Sequence, residues 1–504
     1  MSLFQDFLKR IRGNRLSTGE NIKVSPLDAP LIHLTDYDAW TVRDAVGGAV
    51  ILGGPGSGKS SGPGRHLAMS FLKAGFGGLV LCAKPSEASK WLGFARSASR
   101  QDDVIRFSPE HPELRFNPFD YELRRSGRGG GYTQNVTALF QYLLEITEGS
   151  KQGGNADPFW SRAVIELLTY CTDVLHVCGH PVSLLNITRL IQSCPRRDDT
   201  GDEFYDDGWR NSSFCFQCLA DAALLADESG PSMRQDIEMA ASYLVEEFPR
   251  LSERTRTSIL ASFKGMSLPF TRSPMREIFG TDTTLRLEDT FDRGKILIID
   301  YPMREFAEVG RIVGAMMKYF FMTAVERRQV DDTTPPCFLF ADEAQEFIAS
   351  GSYDARFMAT ARESRCCTVF ITQNISNLYA AVKAENVRFV VDSLLANFMT
   401  KIFCANADSL TNDWASKLIA MSWQMKSGAS TNIGQNSSMG SNLSQQLAYQ
   451  VLPAEFNTLT KGGPPQWIVE TILFQGGRLF ESSGATFSRI AFPQTDDSQK
   501  GVTP

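Results

Sequence analysis

The chain has 504 residues, of which 42% are hydrophobic and 21% are charged, and its formal net charge is −6. This is the composition of an ordinary globular protein, and it excludes a wholly disordered, collagenous or coiled-coil chain. At roughly 150 residues per domain, the length predicts about three domains or one large domain with insertions. No apolar run approaches the roughly 18 residues that a membrane-spanning helix needs, which argues against integral membrane and secreted proteins.

The first predicted element is an amphipathic N-terminal segment, residues 1–20. Leu3, Phe4, Phe7 and Leu8 recur at helical spacing beside basic residues. Such a helix could lie on an acidic membrane surface or dock on a partner. The alternative is a helix that packs on its own domain.

Residues 21–125 are predicted to form the first part of a nucleotide-binding domain. An apolar strand at Gly47–Leu52 is followed by a glycine-rich loop, a helical pattern that ends at Gly75, and a second buried strand at Gly78–Lys84. Strand, loop, helix and strand in this order make a βαβ unit, which is typical of a parallel sheet.

The rest of the chain is predicted to contain an inserted domain and the second part of the sheet. Residues 126–285 carry mainly helical patterns and are predicted to form a mostly α-helical insertion. Short apolar strands return in residues 286–495, which continue the parallel sheet. Within them, the Ser-, Asn- and Gly-rich segment 427–447 is predicted to be a flexible loop, and residues 496–504 form a tail.

The loop after the first buried strand has the sequence GGPGSGKS and fits the phosphate-binding pattern G-x-x-x-x-G-K-[ST]. Its glycines let backbone N–H groups curve around phosphates, Lys59 would reach the β- and γ-phosphates, and Ser60 would ligate Mg²⁺. The alternative, a glycine turn without a ligand, is disfavoured by the strand before the loop and the helix after it. The predicted nucleotide-binding residues are Gly53, Gly54, Pro55, Gly56, Ser57, Gly58, Lys59, Ser60 and Ser61.

Two acidic residues end a later apolar strand, in the segment Cys337–Glu343. An acidic pair at a strand end is often only the start of a solvated loop. Beside a phosphate-binding loop, however, Asp342 would hold Mg²⁺ through water and Glu343 would orient or deprotonate the attacking water. At the tip of the next strand, Gln373 could hydrogen-bond the γ-phosphate or the attacking water, although it could also be an ordinary polar strand end.

Arginine side chains between these two strands are candidates for stabilising the transition state. We expect Arg362 to be an arginine finger that reaches the ATP of a neighbouring subunit. Arg362 or Arg365 could instead form a surface ion pair.

Several motifs taken together resemble the type IV coupling proteins, the TraG/TraD-like ATPases of conjugation and type IV secretion, which are related to the FtsK/HerA motors. The resemblance covers most of the chain between about Asn21 and Leu459. The matching segments are GGPGSGKSSGPGRHLA, RFNPFD, DPFW, GKILIIDYP, FLFADEAQEF, ARESRCCTVFITQN and LLANFMTKIFCAN.

This resemblance implies an α/β fold, a RecA-like P-loop NTPase domain with a mostly parallel sheet plus an inserted all-α domain. It also implies ATP and Mg²⁺ as cofactors, six identical subunits around a channel, and ATP-driven movement of single- or double-stranded DNA or DNA–protein substrate. The implied catalytic residues are Lys59, Glu343, Gln373 and Arg362, with Ser60 and Asp342 at the metal. The expected partners are relaxase or effector proteins and other type IV secretion components.

Two departures from the family pattern affect these expectations. The family usually begins with transmembrane helices, whereas this sequence has only the amphipathic segment before the motor, which predicts a cytoplasmic protein with at most peripheral membrane contact. The family often has an acidic residue and Lys-Gly-Glu after its second strand. Here Lys84 and Glu87 are kept and the preceding acidic residue is lost.

Alternatives to a DNA motor remain open from the sequence. An ATP-gated receptor could recruit relaxase or effector proteins without pumping DNA, using the helical insertion as its recognition surface. A metabolic kinase would explain the phosphate-binding loop but not Asp342, Glu343 or Gln373. Ten scattered cysteines predict reduced thiols in a cytosol, and the lone CxxC of Cys215 and Cys218 is weak evidence for a metal because structural zinc sites usually need a second pair.

Overall fold

The computed structural model describes residues 25–148, 158–195, 207–348, 353–382, 384, 386–432 and 438–494. The predicted amphipathic segment, the tail and Asp157 of the DPFW motif lie outside these ranges. No helix among the described residues is long and apolar enough to cross a membrane.

A nine-stranded sheet forms the centre of the molecule, in the order β13-β12-β9-β3-β8-β7-β4-β6-β5. All pairs from β9 to β5 are parallel, and only β12 pairs antiparallel, with β9 and β13. Two further two-stranded sheets are β1-β2 and β10-β11. The strands are β1 Pro30–His33, β2 Ala39–Thr41, β3 Ala49–Leu52, β4 Gly77–Cys82, β5 Val104–Phe107, β6 Ile296–Asp300, β7 Cys337–Ala341, β8 Cys366–Thr372, β9 Thr400–Phe403, β10 Met421–Asn432, β11 Ser438–Tyr449, β12 Ile468–Gln475 and β13 Phe487–Pro493.

The parallel strands are buried on both faces, which explains their continuous apolar sequences. On β3, Val50 and Leu52 point to one hydrophobic core, while Ala49 and Ile51 point to a second core on the other face. Helices therefore have to cover both faces of the sheet. The helix Arg65–Lys73 packs on the second face, where its Leu67, Phe71 and Leu72 side chains are buried.

Helices cover both faces of the sheet and make up every described element between β5 and β6. The α-helices are Val42–Val46, Arg65–Lys73, Pro85–Ser97, Pro118–Arg124, Thr133–Glu148, Pro158–Val177, Leu184–Gln192, Asp207–Ser212, Phe214–Ser229, Pro231–Ser242, Phe248–Arg250, Glu253–Ser267, Met275–Phe279, Asp289–Asp292, Met303–Arg327 (kinked at Ala307), Tyr353–Thr360, Ile375–Ala381, Val387–Asn397, Ser409–Ile419 and Glu455–Thr458. The predicted α/β class, with a mostly parallel sheet and an inserted all-helical region, is confirmed.

The prediction of a flexible loop at 427–447 is wrong. Strands β10 and β11 pair antiparallel along their whole length, from Met421 opposite Tyr449 to Asn432 opposite Ser438. The residues between them, 433–437, lie outside the described ranges. The Ser-, Asn- and Gly-rich composition of this ribbon resembled that of a loop.

Candidate nucleotide-binding site

The phosphate-binding loop follows β3 at the carboxyl edge of the parallel sheet, where open α/β sheets bind their ligands. Gly53 N–H donates to the carbonyl of Thr372 at 3.3 Å, and Gly54 N–H donates to the carbonyl of Ala405 at 2.9 Å. These bonds fix the start of the loop to the ends of the two neighbouring strands, β8 and β9. The loop is thus held by the sheet.

Gly58 is required by both its backbone conformation and its surroundings. Its φ is +80°, and a Cβ at this position would lie 2.4 Å from Cγ2 of Val469 and 2.6 Å from the carbonyl oxygen of Lys461. The loop therefore packs directly on β12, which carries Val469, and no side chain fits between them. Gly56 also has a positive φ, +69°, but it faces open space.

The side chains of the loop fit a bound triphosphate. Ser57 Oγ is buried without a hydrogen-bond partner. Lys59 is buried as well, and its charge reaches the Glu343 carboxylate. A triphosphate would give the Lys59 ammonium a direct anionic partner and the Ser57 hydroxyl an acceptor. The burial of these two polar side chains is the observation that favours nucleotide binding at this loop.

Ser60 and Asp342 meet although 282 positions separate them, because their strands end at the same edge of the sheet. Ser60 Oγ donates to Asp342 Oδ2 at 2.6 Å, and the other carboxylate oxygen accepts from the Glu343 N–H at 3.0 Å. A hydroxyl beside a carboxylate is the oxygen pair with which P-loop NTPases hold Mg²⁺. The two residues predicted for the metal therefore have the right chemistry and lie together.

Glu343 is held by three neighbouring side chains. Lys84 Nζ lies 2.5 Å from Oε1, Gln345 Nε2 donates to Oε2 at 2.9 Å, and Gln373 Nε2 lies 3.4 Å from both oxygens. Burial raises the pKa of Glu343, but the hydrogen bonds from Lys84 and Gln345, together with the positive charges of Lys84 and Lys59, lower it below its ordinary value. The carboxylate is thus kept ionised, as a general base must be.

The backbone at Glu343 supports this orientation. Its φ of 53° and ψ of 50° place it in the left-handed region, which is uncommon for a residue other than glycine. Such a conformation persists only where the surroundings hold it, and it clusters at functional sites. Here the hydrogen bond to Asp342 and the ion pair with Lys84 hold it.

Gln373 follows β8, which lies between the strands of the phosphate-binding loop and of Asp342. Its main-chain oxygen accepts from Asn406 Nδ2 at 3.0 Å. Its side chain thus stands between the loop and Glu343, where it could contact a γ-phosphate.

Glu87 is an acidic residue beside this site whose contacts the sequence did not reveal. Its Oε2 accepts from the N–H groups of Ala83 and Lys84, at 2.7 and 3.2 Å, while its buried Oε1 accepts no hydrogen bond and lies 3.8 Å from Lys84 Nζ. Burial and the nearby charge of Asp342 raise the pKa of Glu87 to about 7. Glu87 therefore titrates near neutral pH, next to the metal residues.

A cavity of about 280 Å³ lies at the phosphate-binding loop. It is lined by the loop from Gly56 to Ser61, by Asp342 and by the helix Pro85–Ser97. That helix contributes Glu87, Lys90, Trp91 and Phe94.

The two arginines between β7 and β8 have different surroundings. Arg365 is buried and donates to the carbonyls of Thr334 at 2.8 Å and Asp332 at 3.4 Å, so it stabilises its own subunit. Arg362 is exposed. The structure brings Lys59, Ser60, Asp342, Glu343 and Gln373 together, and leaves Arg362 on the surface.

Sequence reasoning missed the role of two side chains that orient Glu343. Lys84 was noted only as a kept family residue, and Gln345 was not singled out. The position of Lys84 just after β4 could have indicated its place in the site, because the carboxyl ends of parallel strands lie at the same edge of the sheet.

Comparison with known proteins adds a family match and a fold. Residues 336–459 match the family model described as "TraM recognition site of TraD and TraG". No curated protein matches the chain significantly by sequence.

Solved structures of TrwB, a bacterial conjugative coupling protein, share the fold. The unbound monoclinic form of TrwBdeltaN70 has a TM-score of 0.56 and 16% identity, over 90% of this chain and 85% of that chain. The trigonal form with sulphate has a TM-score of 0.58 and 15% identity, over 90% and 86%. TrwB in complex with ADP and Mg²⁺ has a TM-score of 0.56 and 16% identity, over 90% and 87%. The resemblance to the type IV coupling protein family is thus confirmed, by the family model over residues 336–459 and by the shared fold.

Proposed function

We propose that the protein is an ATP-hydrolysing DNA translocase of a conjugation or type IV secretion system. The observation that carries the proposal is the Ser60–Asp342 hydrogen bond at 2.6 Å, with Glu343 and Gln373 directly beside it. A kinase for small molecules would need a phosphate loop but not this water-activating group. The arrangement therefore favours hydrolysis.

Each residue has a distinct role in this proposal. The N–H groups of the loop and the Lys59 ammonium bind the phosphates of ATP, and Ser60 and Asp342 would hold Mg²⁺. The metal would neutralise charge on the transferred phosphoryl group. Glu343 accepts the proton of the attacking water at a carboxylate oxygen, and Lys84 keeps that carboxylate ionised. Gln373 orients the water or contacts the γ-phosphate.

The proposed assembly is a homohexamer around a channel. Arg362 is exposed and free to reach a neighbouring subunit, where it would stabilise charge in the transition state. A site completed by a second copy predicts that turnover rises steeply with protein concentration.

The proposed partners are DNA, single- or double-stranded, relaxase or effector proteins, and other secretion components. Similarity to a model named for TraM recognition favours a protein partner bound within residues 336–459. We also propose a cytoplasmic location with peripheral contact at the inner membrane.

ATPase activity against protein concentration, with and without DNA, tests motor, assembly and substrate together. DNA should raise turnover, and Lys59→Ala and Glu343→Gln should abolish it. Lys73→Ala, at the far end of the following helix, is the matched control and should keep full activity. A wild-type protein without ATPase activity at any concentration would contradict the proposal.

The second candidate is an ATP-gated receptor that recruits relaxase or effector proteins without pumping DNA. The partner-recognition name of the matching family model favours it. Capture of the cargo protein by Glu343→Gln at wild-type affinity, together with turnover that does not respond to DNA, would select the receptor over the translocase.

A further inference from the structure

A cluster of metal-ligating side chains lies in the helical region, outside the nucleotide site. The ligand atoms of Cys178, His180 and Cys218 all lie within 4.8 Å of one another. Two chain segments supply them: Cys178 and His180 follow the helix Pro158–Val177, and Cys218 lies on the helix Phe214–Ser229.

The backbone between the first two ligands brings them to the same side. Gly179 has a φ of +75° and turns the chain at the end of its helix, so Cys178 and His180 both face Cys218. The His180 ring packs edge-on against Phe214 at a centroid distance of 5.2 Å. Phe214 stands one helical turn before Cys218, so this contact places the imidazole beside the second thiol.

Both thiols lie where the end of the helix Pro158–Val177 meets the helix Phe214–Ser229. Cysteine binds a metal ion as the thiolate, so metal binding would release the thiol protons.

The other cysteines of the region are not part of this cluster. Cys194 donates a hydrogen bond to Cys215 at 3.8 Å, and both are buried in the hydrophobic core. Cys171 is buried there as well. By contrast, His180 is exposed and Cys178 half-buried, so a metal ion can reach the cluster from solvent.

We propose that Cys178, His180 and Cys218 bind a divalent metal ion of the zinc class. Two thiolates and one imidazole are a ligand set that zinc prefers, and a fourth position is left for solvent. This site is independent of the proposed ATPase function.

The site would stabilise the contact between the helical region and the sheet domain. The turn that carries His180 continues to Val182, whose carbonyl accepts from Asn117 Nδ2 at 3.0 Å. Asn117 caps the helix Pro118–Arg124, the first helix after β5, and also donates to the carbonyl of Thr281 at 2.9 Å. A metal ion that fixes this turn therefore fixes the entry into the helical region.

Metal content of the purified full chain tests the proposal. The protein is kept reduced, loaded with Zn²⁺, passed through a desalting column and analysed by elemental mass spectrometry. We expect about one zinc ion per chain. Cys178→Ser, His180→Ala and Cys218→Ser should each lower zinc affinity at least tenfold, the size of effect that losing even a supporting residue can have.

Two controls separate the site from other thiols and from misfolding. His176→Ala, one turn earlier on an exposed position, and Cys171→Ala, in the core, should keep the zinc. Co²⁺ in place of Zn²⁺ should give a thiolate-to-metal charge-transfer band in the wild type and both controls, and not in the Cys178→Ser/Cys218→Ser double variant. Circular dichroism checks that this variant is folded.

Three results would overturn the proposal. One is a reduced wild-type chain that retains no zinc after desalting, and another is zinc that survives in the folded double variant. The third is a Cys178–Cys218 disulfide that persists in reductant and leaves no thiols for a metal.

Discussion

Lys84 Nζ lies 2.5 Å from Oε1 of Glu343, so the carboxylate proposed to activate water is held in an ion pair with a residue 259 positions earlier. The Glu343 side chain is almost fully buried, whereas that of Lys84 is 43% exposed. Lys84 can therefore move into solvent without unfolding the site, and Glu343 cannot.

Replacement of Lys84 should change the pH dependence of turnover. Lys84 lowers the pKa of Glu343, so Lys84→Ala should raise that pKa, and protonated Glu343 cannot accept a proton from water. The acidic limb of kcat against pH should move to higher pH. Lys73→Ala is the control. An unchanged acidic limb in Lys84→Ala would show that the ion pair does not control the base.

Ser60→Ala tests the metal pair. The variant loses the hydroxyl that bonds Asp342, so we expect at least tenfold weaker ATP binding when Mg²⁺ is present, by isothermal titration calorimetry. Without Mg²⁺ the affinities of variant and wild type should be similar, because the phosphates are bound mainly by Lys59 and backbone N–H groups. Lys73→Ala is the control. Equal losses with and without Mg²⁺ would contradict the assignment.

Two glycine variants of the loop separate strain from steric overlap. Ala at a positive φ costs roughly 1–2 kcal/mol. Gly56→Ala should show about this cost alone, since nothing lies within 4 Å of its Cβ. Gly58→Ala should lose about 1–3 kcal/mol more, because its Cβ would meet Val469 and the Lys461 carbonyl. Urea unfolding measures both, and equal losses would argue against the packing of the loop on β12.

Glu87 should make stability depend on pH near neutrality. Its pKa is about 7 in the folded protein and about 4.3 when unfolded, so its protonation favours the fold. The contribution is complete below about pH 4.3 and is lost as the pH rises through 7, by roughly 3 kcal/mol at most. Glu87→Gln keeps an acceptor for Ala83 and Lys84. Between pH 5 and 8, the free energy of unfolding of this variant should fall less than that of the wild type, as measured by urea unfolding without nucleotide. Parallel curves of unfolding free energy against pH would contradict the prediction.

The two arginines should behave oppositely. Arg362→Ala should unfold at the wild-type temperature but lose the rise of turnover with protein concentration. Arg365→Ala should unfold at lower temperature, since it leaves the carbonyls of Thr334 and Asp332 without their donor. Unaltered concentration dependence in Arg362→Ala would remove Arg362 from the proposed intersubunit role.

The phosphate-binding loop could be predicted because its signals are local. A buried strand, the glycine pattern and a following helix lie within one short segment, and two of the glycines, Gly56 and Gly58, have a positive φ. The acidic pair Asp342 and Glu343 could likewise be predicted, because both residues directly follow one apolar strand, β7. Convergence of strand ends at one edge of a parallel sheet then explains why Ser60 meets Asp342.

Contacts between distant segments could not be predicted in the same way. Nothing in the sequence near Lys84 indicates that its partner is Glu343. The CxxC pattern suggested that Cys215 and Cys218 act together. Both lie on the helix Phe214–Ser229, but their thiols have different neighbours: Cys215 contacts Cys194, and Cys218 faces Cys178 and His180. The β10-β11 ribbon was missed because its Ser-, Asn- and Gly-rich sequence lacks the apolar alternation that is typical of a strand.

Calorimetric titration of the full chain with ATP and Mg²⁺ tests the central claim most directly. We predict saturable binding of one nucleotide per chain in the wild type and in Glu343→Gln, and its loss in Lys59→Ala. Absence of binding in the wild type, or undiminished binding in a folded Lys59→Ala variant, would contradict the assignment of this loop as the nucleotide site.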